Sequence, residues 1–186
     1  MGKTWKARLL QIIICDMDNT LCFPSPYCEE SYLRLSLKEQ HIKAQTGSFA
    51  MQCLETPLAK WVSEYRNQFF DFHLFPSTYF KLLLTARWFY LKTITERWLQ
   101  HHNLFFDYIH FLNFNDFKTL QKEKVIYIQR VIQNFPCEFL HSPVMNYLIF
   151  DDNKAIIKEL AKTRYRTGAI PHFYLIQEGE LMEWTK

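Results

Sequence analysis

The stretch Leu9-Leu-Gln-Ile-Ile-Ile-Cys15-Asp16-Met-Asp18-Asn19-Thr20 decides the fold. Its first part is almost continuously apolar and β-branched. A run of that kind marks a strand covered on both faces, as in a parallel sheet. It stops abruptly at two acids spaced two apart. In an extended strand Asp16 and Asp18 share a face, and a loosened turn after the strand lets one attack while the other handles protons. The basic residues Lys3, Lys6 and Arg8 ahead of the run imitate a signal peptide. The run is short, however, and acids stand where a small-residue cleavage site belongs, so it reads as a buried strand.

Working outward, similar runs recur at Tyr79 to Leu84, Tyr108 to Leu112, Tyr147 to Phe150 and His172 to Ile176, with Glu178-Gly179 turning the last into a terminal hairpin. Helical spacing appears between them, over Trp88 to His101, Lys124 to Phe135 and Asn153 to Tyr165. The alternation predicts an α/β fold: a doubly wound, mainly parallel Rossmann-like sheet with helices on both faces. Residues 23–77 interrupt it. They are too many for one crossover, and they read as a small helical insertion or cap within a single domain spanning 1–186, with helices expected over Ser31 to Lys43 and Leu58 to Phe72.

Ligands of open α/β sheets bind beyond the carboxyl ends of the strands. The first strand ends in Asp16, Asp18, Asn19 and Thr20, the second in Thr85-Ala86-Arg87, and the fourth in Asp151-Asp152; Lys124 heads the helix before the fourth. Carboxylates converging on one place repel each other unless a divalent cation sits among them. Oxygen-only ligands favour magnesium, which makes Asp16, Asp18, Asp151 and Asp152 the candidate metal residues. Thr85 and Lys124 are placed to bind phosphoryl oxygens, and the free N–H groups of a helix start beside Lys124 favour an anion.

This ordered set resembles the haloacid dehalogenase (HAD) superfamily: Asp-x-Asp-x-Thr in Asp16, Asp18 and Thr20, then Thr85, then Lys124, then the acidic pair Asp151-Asp152. More narrowly it resembles the Swiss Army Knife RNA repair-like branch, through Leu83-Leu-Thr-Ala-Arg87, the helix ending Asn134-Phe-Pro136, and Ile149-Phe-Asp-Asp152. The insertion after Thr20 is longer than in that branch, and Asn19 stands where glycine is common. The resemblance implies a magnesium-dependent phosphoric monoester hydrolase working through an aspartyl phosphate. Asp16 is then the nucleophile, Asp18 the proton carrier, and Thr85 and Lys124 the phosphoryl grip. Asn19, Thr20 and Arg87 face substrate, with magnesium on Asp16, the carbonyl of Asp18, and Asp152 or Asp151. The implied substrate is a phosphoprotein, a polynucleotide end or a small phosphomonoester. A catalytically idle scaffold of the same fold is the rival reading.

Other features carry blander meanings. Lys118 and Lys122 rival Lys124. Arg87 reads equally as a substrate contact and as a solvated helix-start residue. His101-His102 reads as helix surface, and Trp61, Tyr65, Phe69, Phe70 and Phe72 as insertion core. Five cysteines without a Cys-x-x-Cys pair argue against a disulfide scaffold and a structural zinc site, and for a reducing, cytoplasmic setting, which does not bar delivery into a host cell. No apolar run is long enough to span a bilayer. Four glycines leave no phosphate-cradling turn of the dinucleotide-binding kind. A net charge of +3 is too mild to argue for nucleic acid by electrostatics alone.

Overall fold

In the computed structural model, the structure describes residues 10–28, 34–36, 39–40, 42–43, 47–70, 79–112, 117–134, 144–165 and 170–184. Six strands form one sheet: β1 (Leu10–Cys15), β2 (Tyr79–Thr85), β3 (Tyr108–Phe111), β4 (Val144–Asp151), β5 (Ile170–Gln177) and β6 (Glu180–Glu183). Their order is β3-β2-β1-β4-β5-β6. All neighbours pair in parallel except β5 and β6. The turn between those two uses Glu178 (φ 51°) and Gly179 (φ 79°), the left-handed pair that a tight hairpin demands.

Alternate residues of β1 feed two cores. Ile12 and Ile14 join Leu82, Leu84, Tyr147 and Ile149 beneath α5 (Phe117–Asn134) and α6 (Lys154–Lys162). Ile13 and Cys15 join Leu83, Leu148 and Phe150 on the opposite face, against Trp98 and Leu99 of α4 (Lys92–His101). A strand buried on both faces needs the unbroken apolar run seen in the sequence. The α/β, Rossmann-like arrangement is as expected.

Between β1 and β2 the described residues include a 3-10 turn (Pro26–Cys28) and the short helices α1 (Gly47–Glu55), α2 (Lys60–Glu64) and α3 (Arg66–Phe69). The continuous helix expected over Leu58 to Phe72 is not formed. It breaks at Tyr65, which caps α2 and starts α3, while Leu58 bridges to Cys22 in an extended pairing. Trp61, Val62, Phe69 and Phe70 pack into the same core as Trp98, so this half of the insertion covers a sheet face. The other half, with Tyr27, Phe49 and Cys53, packs on Leu91 and Ile94. The helix expected over Ser31 to Lys43 falls mostly outside the described residues, with helical turns at 39–40 and 42–43. The helix expected from Trp88 begins as a 3-10 turn (Phe89–Leu91) and becomes α-helical at Lys92. Among the described residues no helix is long and apolar enough to cross a membrane.

Candidate functional site

Register brings the acids together. Cys15 of β1 pairs with Phe150 of β4, and the Asp16 amide donates to the Phe150 carbonyl at 3.0 Å, so Asp16 and Asp151 leave the sheet side by side. This is where the strand order reverses, the crevice in which such sheets bind ligands. Beyond it the chain winds into one helical turn, with the amides of Thr20 and Leu21 donating to the Met17 carbonyl and Asn19 at φ 58°. The Trp61 indole Nε1 donates to the Thr20 carbonyl at 2.7 Å, pinning that turn to the insertion.

Oxygen atoms of Asp16, Asp151 and Asp152 lie within 4.8 Å of one another. Lys124 Nζ bridges two of them, 2.9 Å from Asp16 Oδ2 and 2.7 Å from Asp151 Oδ2, with all three side chains nearly excluded from solvent. Three carboxylates and one ammonium leave the cluster strongly negative when ionised. Burial drives the Asp16 carboxyl well above the usual range; Lys124 opposes that shift and Asp151 adds to it. Burial and the neighbouring Asp151 push Asp152 up to about 6. Burial works against a charged Lys124, but its two acids hold it firmly protonated. The oxygen-only donor set and its excess negative charge suit a hard divalent cation such as magnesium. The second oxygen of Asp151 accepts from the Asn153 amide at 2.8 Å, while Asp152 is less enclosed. Asn153 also caps α6, accepting from the amides of Ala155 and Ile156.

Two expectations are corrected here. Lys124 does not stand at a helix start. Its helix begins at Phe117, so Lys124 sits inside it, where backbone N–H groups are already paired and no terminal anion site exists. The ammonium itself reaches the acids. Of its rivals, Lys122 is exposed, and the side chain of Lys118 lies outside the described residues. Arg87 is not solvated. Its guanidinium is buried and forks onto Asp18, with Nε 2.8 Å from Oδ2 and Nη2 2.6 Å from Oδ1. Its Nη1 donates to Thr95 Oγ1 at 3.1 Å, and its carbon lies 4.0 Å over the Tyr27 ring. Ser25 Oγ and the Cys22 thiol add donors to Asp18. Burial opposes ionisation of Asp18, yet the Arg87 fork and these donors hold its carboxyl below the usual range.

A cavity of about 220 Å³ opens above Asp16, Asp18, Arg87, Lys124 and Asp152. Asp151 lies behind that group. Thr85 is fully buried at the end of β2, where its hydroxyl accepts from the Arg87 amide at 3.1 Å, and it does not line the cavity. Nor do Asn19 and Thr20. Asn19 lines a second recess, shared with Asp152, and its side chain accepts from the Ser25 amide at 3.2 Å; Thr20 is buried within its turn. Ser25, Tyr27, Trp88 and Leu120 escaped the sequence reading. Nothing in their spacing flags them, because they reach the site through the insertion and the faces of separate elements.

No family model matches the chain, and no curated protein does. Solved structures do resemble it. One is a Pnkp1/Rnl/Hen1 complex, with TM-score 0.54 and 18% identity over 94% of this chain and 50% of that one. A second, described as the Pnkp1/Rnl/Hen1 RNA repair complex, gives 0.50 and 16% over 94% and 48%. The HAD domain of effector protein Lem4 from Legionella pneumophila gives 0.50 and 13% over 93% and 89%. The chain therefore spans about half the length of the RNA repair chains it matches. At these identities the likeness is one of fold, and it includes the fold of a HAD domain.

Proposed function

We propose that this chain is a magnesium-dependent phosphatase that hydrolyses a phosphomonoester through an aspartyl phosphate on Asp16. The observation that carries the reading is the cluster itself: oxygens of Asp16, Asp151 and Asp152 within 4.8 Å, at the strand-end crevice, with Lys124 Nζ 2.9 Å from Asp16. The HAD-like fold of the solved neighbours supports it.

In the first step an Asp16 oxygen attacks phosphorus, the bond from phosphorus to the ester oxygen breaks, and the departing oxygen takes a proton carried by Asp18. In the second step water attacks phosphorus, gives its proton to Asp18, and the bond to Asp16 breaks, releasing inorganic phosphate. Arg87 favours the carboxylate of Asp18, so the proton given in the first step is one Asp18 takes up from solvent as substrate binds, and the carboxylate left behind accepts the water's proton in the second. Lys124 steadies Asp16 and offers positive charge to the transferring group, which is positioning plus electrostatics. Asp16, Asp152 and the Asp18 carbonyl would hold magnesium; Asp151, whose oxygens already accept from Lys124 and Asn153, orients the ammonium. A bound magnesium ion supplies neutralisation of phosphoryl charge. Thr85 keeps the Arg87 turn in shape. The insertion contributes Ser25 and Tyr27 around Asp18 and Arg87, so it acts at the site as well as over the sheet.

The substrate class in view is a macromolecular phosphate: a phosphoprotein, or a polynucleotide end of the kind an RNA repair complex brings to mind. Hydrolysis of para-nitrophenyl phosphate tests the core proposal. Wild type turns it over with magnesium and stops with a chelator, whereas Asp16→Asn is inactive in both. A folded Asp16→Asn protein with full activity would sink the proposal.

A further inference from the structure

Building on the phosphatase reading, we infer that the cavity beside Asp16 is a binding slot for the ring of an aryl phosphomonoester, the chemistry of a phosphotyrosine side chain. Its walls carry the argument. Beside the charged floor the described lining is mainly apolar, with Tyr27, Trp88, Leu91, Leu120 and Ile156, and it also carries Gln40, Gln121 and Asn153. The apolar residues line the same cavity as Asp16, Asp18 and Asp152, so a group carried on a phosphoryl held at the acids has apolar surface within reach. An aryl ester carries its ring on the ester oxygen, where such walls begin. A nucleotide end interposes a sugar there, which sets hydroxyls rather than a ring face against the apolar part of the lining.

Size and charge agree. The volume of about 220 Å³ exceeds the roughly 150 Å³ that holds a benzene ring in an apolar protein cavity. It falls short of the roughly 300–1,000 Å³ that encloses larger ligands. One ring and a phosphoryl group fit within it. Polynucleotide binding also draws on cations that meet successive phosphates. Among the described lining residues the cations are Arg87 and Lys124, and both are committed to carboxylates of the site. The Tyr27 wall is set before any ligand arrives, because its ring is buried and packed on the Arg87 guanidinium. A pre-formed wall spends less ordering entropy on binding.

The test separates ring recognition from ester reactivity. Phenylphosphonate and methylphosphonate, which lack a cleavable ester, are titrated calorimetrically into the full chain with magnesium. Phenylphosphonate binds at least about tenfold more tightly, the scale expected for burying a ring face. Leu120→Ala, with an unchanged melting temperature as the folding control, narrows that ratio. Equal affinity of the two phosphonates for wild type overturns the inference. Turnover is then compared on a phosphotyrosine peptide, phenyl phosphate, a phosphoserine peptide and a 3′-phosphorylated oligonucleotide. The aryl esters lead in kcat/KM, and their order tells a protein source from a small aryl phosphate. An oligonucleotide or phosphoserine lead overturns the aryl slot while sparing the phosphatase reading. No magnesium-dependent turnover of any of the four overturns the phosphatase reading and the slot with it.

Discussion

Replacing Arg87 with methionine removes the cation that keeps Asp18 ionised without emptying much volume. The guanidinium is 4% exposed and the Asp18 side chain 13%, so the orphaned carboxylate has little water to turn to. Breaking a buried pair by removing one partner costs about 3–5 kcal/mol. Ser25 and Cys22 still donate to Asp18, which argues for the lower part of that range. In a chain of this size about 1 kcal/mol shifts the melting temperature by roughly 2–4 °C. Arg87→Met is therefore expected to melt roughly 6–16 °C below wild type at neutral pH. The sign with pH follows from the depressed Asp18 carboxyl. Its stabilising contribution is present above the unfolded value, about 3.9, and is lost as pH falls through the lower folded value. The gap between wild type and variant thus closes in acid, where Asp18 is neutral in both. Adding Asp18→Asn to Arg87→Met removes the stranded charge and should recover about 1–3 kcal/mol as coupling. Calorimetry across pH, supported by denaturant unfolding, measures all of this. An Arg87→Met protein within about 1 kcal/mol of wild type at pH 7 would refute the buried ion pair.

Three further outcomes follow from the same geometry. Lys124→Met, which deletes the ammonium shared by Asp16 and Asp151, should lower kcat for para-nitrophenyl phosphate by about 10²–10³, the scale of losing one charge-stabilising donor. Trp61→Phe keeps the stack on Phe150 but strands the Thr20 carbonyl, so denaturant unfolding should show a loss of about 1–3 kcal/mol. Asp152, raised to about 6, keeps its proton in the folded chain over a range where the unfolded chain has lost it, so through this group metal-free stability falls as pH rises from about 4 to 6. Magnesium competes with that proton, and the rise in melting temperature it brings should be large at pH 7.5 and shrink below pH 6.

The parts of the fold legible in sequence were those written in a single local pattern. Leu10 to Cys15 had to be a doubly covered strand, because both of its faces are apolar, and the acids that end it could only lie at the carboxyl end of the sheet. Asp151-Asp152 followed from the same logic on β4. What escaped was set by contacts between distant segments. Arg87 looks like any charged residue opening a helix, and only the return of residues 22–27 over the site buries it against Asp18, Thr95 and Tyr27. The helix carrying Lys124 starts a full two turns earlier than its apolar spacing suggested, since the first turns of α5 lack the clean period that marks its later residues. The break at Tyr65, which separates α2 from α3, is likewise unmarked in sequence, because Trp61 and Phe69 are eight residues apart and read as one face of a continuous helix.

The central claim is that Asp16 takes the phosphoryl group with a cation beside it. It is met most directly by trapping the intermediate. The protein is mixed with 32P-labelled phenyl phosphate and magnesium, quenched in acid within a turnover, and digested. The account predicts label on the peptide that carries Asp16, absent with a chelator and absent from Asp16→Asn. Turnover that proceeds while the label sits on another residue, or never becomes covalent, would contradict it.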